Sequence, residues 1–180
     1  MPAHHKAWRA ALAAHGATFD FDWTLFTRRA GMGLRETVRE LNLQFGAAMD
    51  PDAVVKKQRE AFAGFIPSVR EVAAVAQLAL EFRASGGRMS VASGGEREVV
   101  CAQLAQVGML DMFEHVVCAA EVPHGKPHPD MFLRCSELMG VPPKDCLVFE
   151  DAEMGLQAAE AAGMDWVAVD GSGRCRGGGS

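Results

Sequence analysis

No apolar run in this sequence is long enough to cross a bilayer as a helix, and the opening "MPAHHKAWRAAL" has neither the uninterrupted apolar stretch nor the cleavage site of a signal peptide. A membrane anchor and a cleaved leader are therefore not expected, and the chain reads as cytoplasmic. No dense Lys/Arg block is present either: 18 basic residues stand against 23 acidic ones, for a formal net charge of −5. That balance argues against nucleic acid or an anionic membrane as the main partner and leaves small molecules. The cysteines, Cys101, Cys118, Cys135, Cys146 and Cys175, are odd in number and far apart. They form no Cys-x-x-Cys pair, so a disulfide framework or thiolate metal site is not indicated, and reduced thiols are expected. No internal repeat is visible.

What is present is a chain of 180 residues with 49% hydrophobic content, enough for one core and a small appended subdomain. Residues 1–83 read as helices. Ala7, Trp8, Ala11 and Leu12 fall on one stripe, Gly16 stands where a helix would end, and further helices are expected at 35–43, 52–62 and 69–82. Residues 84–170 change grammar: "RMSVAS", "HVVCAA", "CLVFED" and "WVAVD" read as strands, with helical periodicity between them at 96–107, 129–139 and 152–162. Such alternation predicts an α/β fold, a Rossmann-like parallel sheet covered on both faces, with ligands at the carboxyl ends of its strands. The glycine-rich segment 171–180 is expected to be a flexible tail.

The residues able to do chemistry lie at those strand ends. Ser93 ends one strand and is followed by Gly94 and Gly95, whose bare backbone lets N–H groups approach an anion. Lys126 sits in a loop stiffened by Pro127 and Pro129, where it is either an anchored cation or a solvated one. Glu150 and Asp151 end a buried strand as a pair of hard oxygen donors suited to Mg²⁺, although Asp151 could also cap the following helix.

In this order the three elements resemble the second, third and fourth motifs of the haloacid dehalogenase superfamily, in the branch with a small helical cap that includes fructose-1-phosphate phosphatases and β-phosphoglucomutases. "GKPHPDMFLRCSELMGVPPKDCLVFEDAEMGLQAAEAAGMDWVAVD" is similar to that branch almost throughout, and "HHKAWRAAL" resembles the helix opening its cap. The resemblance implies a Mg²⁺-dependent phosphatase acting on a small sugar phosphate. Asp151 would ligate the metal with Glu150 in support, Ser93 and Lys126 would bind the phosphoryl oxygens beside Gly94 and Gly95, and Arg35 of the cap would contact substrate. A sugar-phosphate mutase and a catalytically silent relative are the alternatives.

The family's nucleophile lies on a central apolar strand ending in Asp-x-Asp-Gly-Thr. "FDFDWTLF", residues 19–26, imitates it, but His15, Gly16 and Thr18 break the run before it, and Trp23 stands where the glycine belongs. It also follows the cap-opening helix instead of preceding it. The stretch is therefore expected to be a cap helix, with Asp20 as N-cap, Arg28 and Arg29 in the last turn and Gly31 beyond; its alternating aromatic residues leave a strand reading open. On this view the sequence begins downstream of the true signature, Met1 being an internal methionine of a longer reading frame or the start of a degenerate copy. The absent strand would lie between those ending at Ser93 and Asp151, leaving two edges unpaired and the chain prone to aggregate.

Overall fold

In the computed structural model, residues 2–170 and 174–178 are described. The chain divides into two units, Met1–Val69 and Arg70–Ser180.

The first unit is helical. Its elements are α1 (Pro2–Ala14), α2 (Trp23–Thr27), α3 (Leu34–Phe45) and α4 (Pro51–Ala63), followed by a single 3₁₀ turn at Ile66–Ser68. The stripe read from the sequence is the buried face of α1: Trp8 and Leu12 join Leu41 of α3 and Val54 and Val55 of α4 in one apolar cluster. α4 begins with Asp50, whose carboxylate accepts from the Asp52 amide at 3.0 Å, and with Pro51, which needs no hydrogen-bond partner at that position. α3 ends on Gly46 in the left-handed region, φ 62°, a conformation that favours glycine.

"FDFDWTLF" is indeed a helix start, though shifted. Asp22, and not Asp20, is the N-cap of α2, its Oδ1 accepting from the Leu25 amide at 2.7 Å. Asp20 lies before the helix and pairs with Arg9 at 3.6 Å. The cap falls on Asp22 because the residue three before an amide is the one whose side chain can close the first turn, and the helix begins at Trp23. The helix is also shorter than expected, ending before Arg28.

The second unit carries α5 (Ala73–Ala84), β1 (Ser90–Ser93), α6 (Arg97–Gln106), β2 (His115–Cys118), α7 (Asp130–Met139), β3 (Leu147–Glu150), α8 (Glu153–Ala161), β4 (Asp165–Val169) and β5 (Cys175–Gly178). β1 and β2 pair in parallel with Ser93 opposite Cys118, and β3 and β4 pair in parallel with Glu150 opposite Ala168. The α/β reading is the observed architecture. Among the described residues, however, β1–β2 and β3–β4–β5 are separate sheets.

Side chains alternate across β1–β2 as a two-sided sheet demands. Val91, Val116 and Cys118 meet Val100 of α6 on one face, while Ala92 and Val117 meet Met131, Cys135 and Met139 of α7 on the other. On β3, Val148 is buried against Phe132, Ala158 and Ala159. Leu147 and Phe149, pointing the opposite way, remain 55% and 38% exposed.

Two further details depart from the sequence reading. The boundary between units falls at 69/70 and not at 83/84, because α5 groups with the α/β unit; periodicity identifies a helix but not its company. Within the segment expected to be a flexible tail, Cys175–Gly178 forms β5, antiparallel on β4 with Val169 opposite Cys175. Backbone pairing holds such a strand, since its residues offer no apolar face. Residues 171–173 and 179–180 of that segment lie outside the described residues.

Candidate functional site

At the carboxyl end of β1, Ser93 Oγ accepts a hydrogen bond from the Gly95 amide at 3.1 Å. The turn is tight at Gly95: an added Cβ would stand 3.0 Å from Val100 Cγ2 and 3.4 Å from Ser93 Oγ, so those side chains would have to give way. With an acceptor role already filled, the Ser93 hydroxyl retains its proton to donate to an oxygen outside the turn.

Lys126 is fixed by its loop. His124 at the loop's start donates its backbone N–H to Asp130 Oδ2 at 3.1 Å, with its ring Nδ1 the same distance from that oxygen. The His128 amide closes a turn on Gly125 O at 3.0 Å. Asp130 opens α7, so the helix start and the loop clasp each other around the lysine. The Lys126 residue is 8% exposed. Its Nζ lies 2.5 Å from Glu150 Oε2, 3.3 Å from Ala92 O and 5.0 Å from the centre of the Phe132 ring. It thereby bridges the carboxyl ends of β1 and β3, the two strands no backbone ladder joins. An ammonium has three N–H donors, and these two oxygen partners use two of them.

Glu150 is held equally firmly. Its Oε1 accepts from the Ala152 amide at 3.2 Å, and its chain lies over Gly155 of α8, where an added Cβ would come within 2.1 Å of Glu150 Cδ. Asp151, the next residue, is exposed. Of the sequence-chosen residues, the structure thus gathers Ser93, Gly94, Gly95, Lys126, Glu150 and Asp151 at the carboxyl ends of β1 and β3. Arg35 belongs to the first unit, where its Nε pairs with Asp52 Oδ1 at 2.5 Å.

Among the described residues no group of three or more His, Cys, Asp or Glu side chains assembles for a metal ion. Mg²⁺ does not require one, since it is commonly held by one or two carboxylates, with water and substrate phosphate completing its shell. Asp151, exposed beside a Glu150 already committed to Lys126, is a donor of that kind, so the residues present fit the ion. Thiolate chemistry is disfavoured at three of the cysteines: burial pushes the Cys135 thiol up to about 12 and raises those of Cys118 and Cys146.

Sequence reading missed Asp130, Phe132 and Gly155. An acidic residue directly after proline at a helix start signals the first, and a glycine one turn beyond an acidic strand end signals the third. Phe132 gives no signal, being one apolar residue among many on α7.

The chain resembles known proteins along most of its length. The family described as "Hydrolase: haloacid dehalogenase-like hydrolase" matches residues 1–163. A fructose-1-phosphate phosphatase from Escherichia coli is 37% identical over 170 residues, 93% of this chain and 88% of that protein. Among solved structures, CbbY from Rhodobacter sphaeroides in complex with phosphate superposes with a TM-score of 0.81 at 21% identity, covering 94% of this chain and 80% of that one. A β-phosphoglucomutase from Clostridium difficile gives 0.79 at 20% identity, covering 93% and 77%.

Proposed function

This chain belongs to the haloacid dehalogenase-like hydrolase family, and from that premise we propose that its α/β unit handles the phosphoryl group of a small sugar phosphate in a Mg²⁺-dependent phosphatase reaction. The observation that carries the proposal is the buried Lys126 ammonium, tethered to Ala92 O and Glu150 with one donor to spare, beside the Ser93 turn. Negative charge accumulates on the phosphoryl oxygens as the group transfers, and a preset ammonium and hydroxyl stabilise that charge without having to reorganise. Glu150 holds the ammonium in place, and Gly94 and Gly95 let the backbone come close. Asp151 would hold Mg²⁺, which when bound neutralises phosphate charge.

A second reading, that the chain binds phosphate without turning it over, is favoured by the placement of the "FDFDWT" carboxylates. Asp22 spends its side chain capping α2 and Asp20 pairs with Arg9, so neither is offered as the attacking group. One set of measurements separates the readings. Orthophosphate binding by calorimetry with and without Mg²⁺ is expected to be weakened in Lys126→Ala, and its Mg²⁺ dependence lost in Asp151→Asn. Unchanged binding in both would overturn the site. Assay on a panel of sugar phosphates separates the two readings: turnover carries the phosphatase reading, its absence beside intact orthophosphate binding carries the second, and turnover lost in Asp20→Asn would make Asp20 the nucleophile.

A further inference from the structure

The first residue of α6, Arg97, reaches sideways to β2. Its Nη2 donates to Val116 O at 2.6 Å and to the Glu121 carboxylate at 2.7 and 2.9 Å. Glu121 in turn accepts from the Cys118 amide at 3.0 Å through Oε1. Cys118 stands opposite Ser93 in the β1–β2 ladder. A closed circuit results: from Ser93 across the ladder to Cys118, through Glu121 to Arg97, and back along four residues of chain to Ser93. The glycines of the turn, Gly94 and Gly95, are inside that circuit.

Two glycines between fixed ends matter here because glycine has the widest backbone freedom of any residue and loses most on being ordered. The Ser93–Gly95 hydrogen bond and Val100 restrain the turn from within; Arg97 restrains the residue where it leaves. We propose that Arg97 and Glu121 are positioning residues for the phosphoryl-binding turn, acting by holding the start of α6 against the end of β2 so that the Gly94 and Gly95 amides keep one orientation. This rests on the phosphoryl site proposed above.

The same pair of strands supplies an internal control. At the opposite, amino end, Arg88 pairs with Glu114, its Nη2 2.6 Å from Oε2, and also donates to Met139 O. Glu114 is tied to Met89 O through its amide at 2.9 Å. Both arginines hold a flank of β1 against β2 through a carboxylate, Arg88 just before β1 and Arg97 at the start of α6, and the arginine lowers the pKa of each carboxylate. Only one staple adjoins the turn.

The experiment follows the assigned ¹⁵N-glycine signals of Gly94 and Gly95 during titration with orthophosphate in Mg²⁺, for the parent chain, Arg97→Ala and Arg88→Ala. In the parent both signals are expected to shift. Arg97→Ala is expected to weaken orthophosphate by about tenfold, the worth of one charge-assisted hydrogen bond, and to speed exchange of both amides. Arg88→Ala, whatever it does to the melting temperature, is expected to leave both readouts as in the parent. Glu121→Gln, which keeps an acceptor for Cys118 but not the charge, is expected to behave like Arg97→Ala and serves if that variant does not fold. Parent-like affinity and exchange in Arg97→Ala, or equal losses in Arg97→Ala and Arg88→Ala, would overturn the positioning role while leaving the site standing. Parent signals unmoved by orthophosphate would overturn the site, and the positioning role with it.

Discussion

Lys126 Nζ and Glu150 Oε2 lie 2.5 Å apart with 6% and 10% of their side chains exposed, an enclosed ion pair. Removing one member of such a pair leaves the other charge buried and uncompensated, which costs far more than the pair contributes. Lys126→Met is therefore expected to destabilise the fold by about 3 kcal/mol. Lys126→Met combined with Glu150→Gln should recover a good part of that loss. Urea unfolding of the single and double variants checks this; a double variant no better than the single would mean that Glu150 was not the group left stranded.

Gly155 transmits to the same pair. Its replacement by alanine drives a methyl group into the Glu150 side chain, which Lys126 keeps from moving aside. Gly155→Ala is expected to cost about 1–3 kcal/mol, and clearly less in a Glu150→Ala background. Equal costs in the two backgrounds, measured by chemical denaturation, would show that the clash is relieved elsewhere.

The two aspartates of the imitation motif should behave differently from one another. Asp22→Asn keeps an acceptor for the Leu25 amide and Asp22→Ala loses it, so the alanine variant is expected to cost about 1 kcal/mol more than the asparagine one. Asp20→Asn breaks only an exposed pair with Arg9 and should change stability by less than about 0.5 kcal/mol. Thermal melts measure both. Loss of Mg²⁺ binding in either would return these residues to the candidate site.

His4 stacks on Phe62 with ring centres 3.9 Å apart, and burial lowers its pKa from 6.5 to about 4. Between those values the unfolded chain binds a proton that the folded chain refuses. The contribution is thus fully present above pH 6.5 and is lost as pH falls toward 4, by about 3 kcal/mol at most. His4→Phe keeps the stack and cannot titrate. Its stability should fall less than the parent's between pH 7 and pH 4.5; parallel profiles would show that His4 is free to protonate in the folded state.

Leu147 and Phe149 form an exposed apolar strip on β3, at the margin of a sheet that β1 does not join. Such strips bind dye and each other. Leu147→Gln with Phe149→Gln is expected to reduce 8-anilinonaphthalene-1-sulfonate fluorescence and slow aggregation with little change in stability. Undiminished dye binding would assign the sticky surface to Leu78, Leu80 and Phe82 of α5 instead.

The sequence made the alternation of strands and helices after Gly86 readable because each element follows a period imposed by burial, and the observed α6, α7 and α8 fall within a residue or so of the expected spans. What periodicity does not carry is partnership. It could not assign α5 to the second unit, foresee β5 in a glycine-rich tail whose strand rests on backbone pairing, or choose between Asp20 and Asp22 as a cap. The site was readable as residue types at strand ends. Its restraints were less so: Arg97 and Glu121 meet across 24 residues of chain, a pairing no local pattern announces.

Met131 and Phe132 are adjacent on α7, yet the first packs with β1–β2 and the second with β3–β4, while Ala92 and Cys146 touch both clusters. Among the described residues the two sheets are accordingly joined by the shared helix α7, by the packing of Ala92 and Cys146 and by Lys126, without a continuous ladder. In native-state hydrogen exchange they should open as two cooperative blocks, with α7 the slowest segment because it is released only when both have gone.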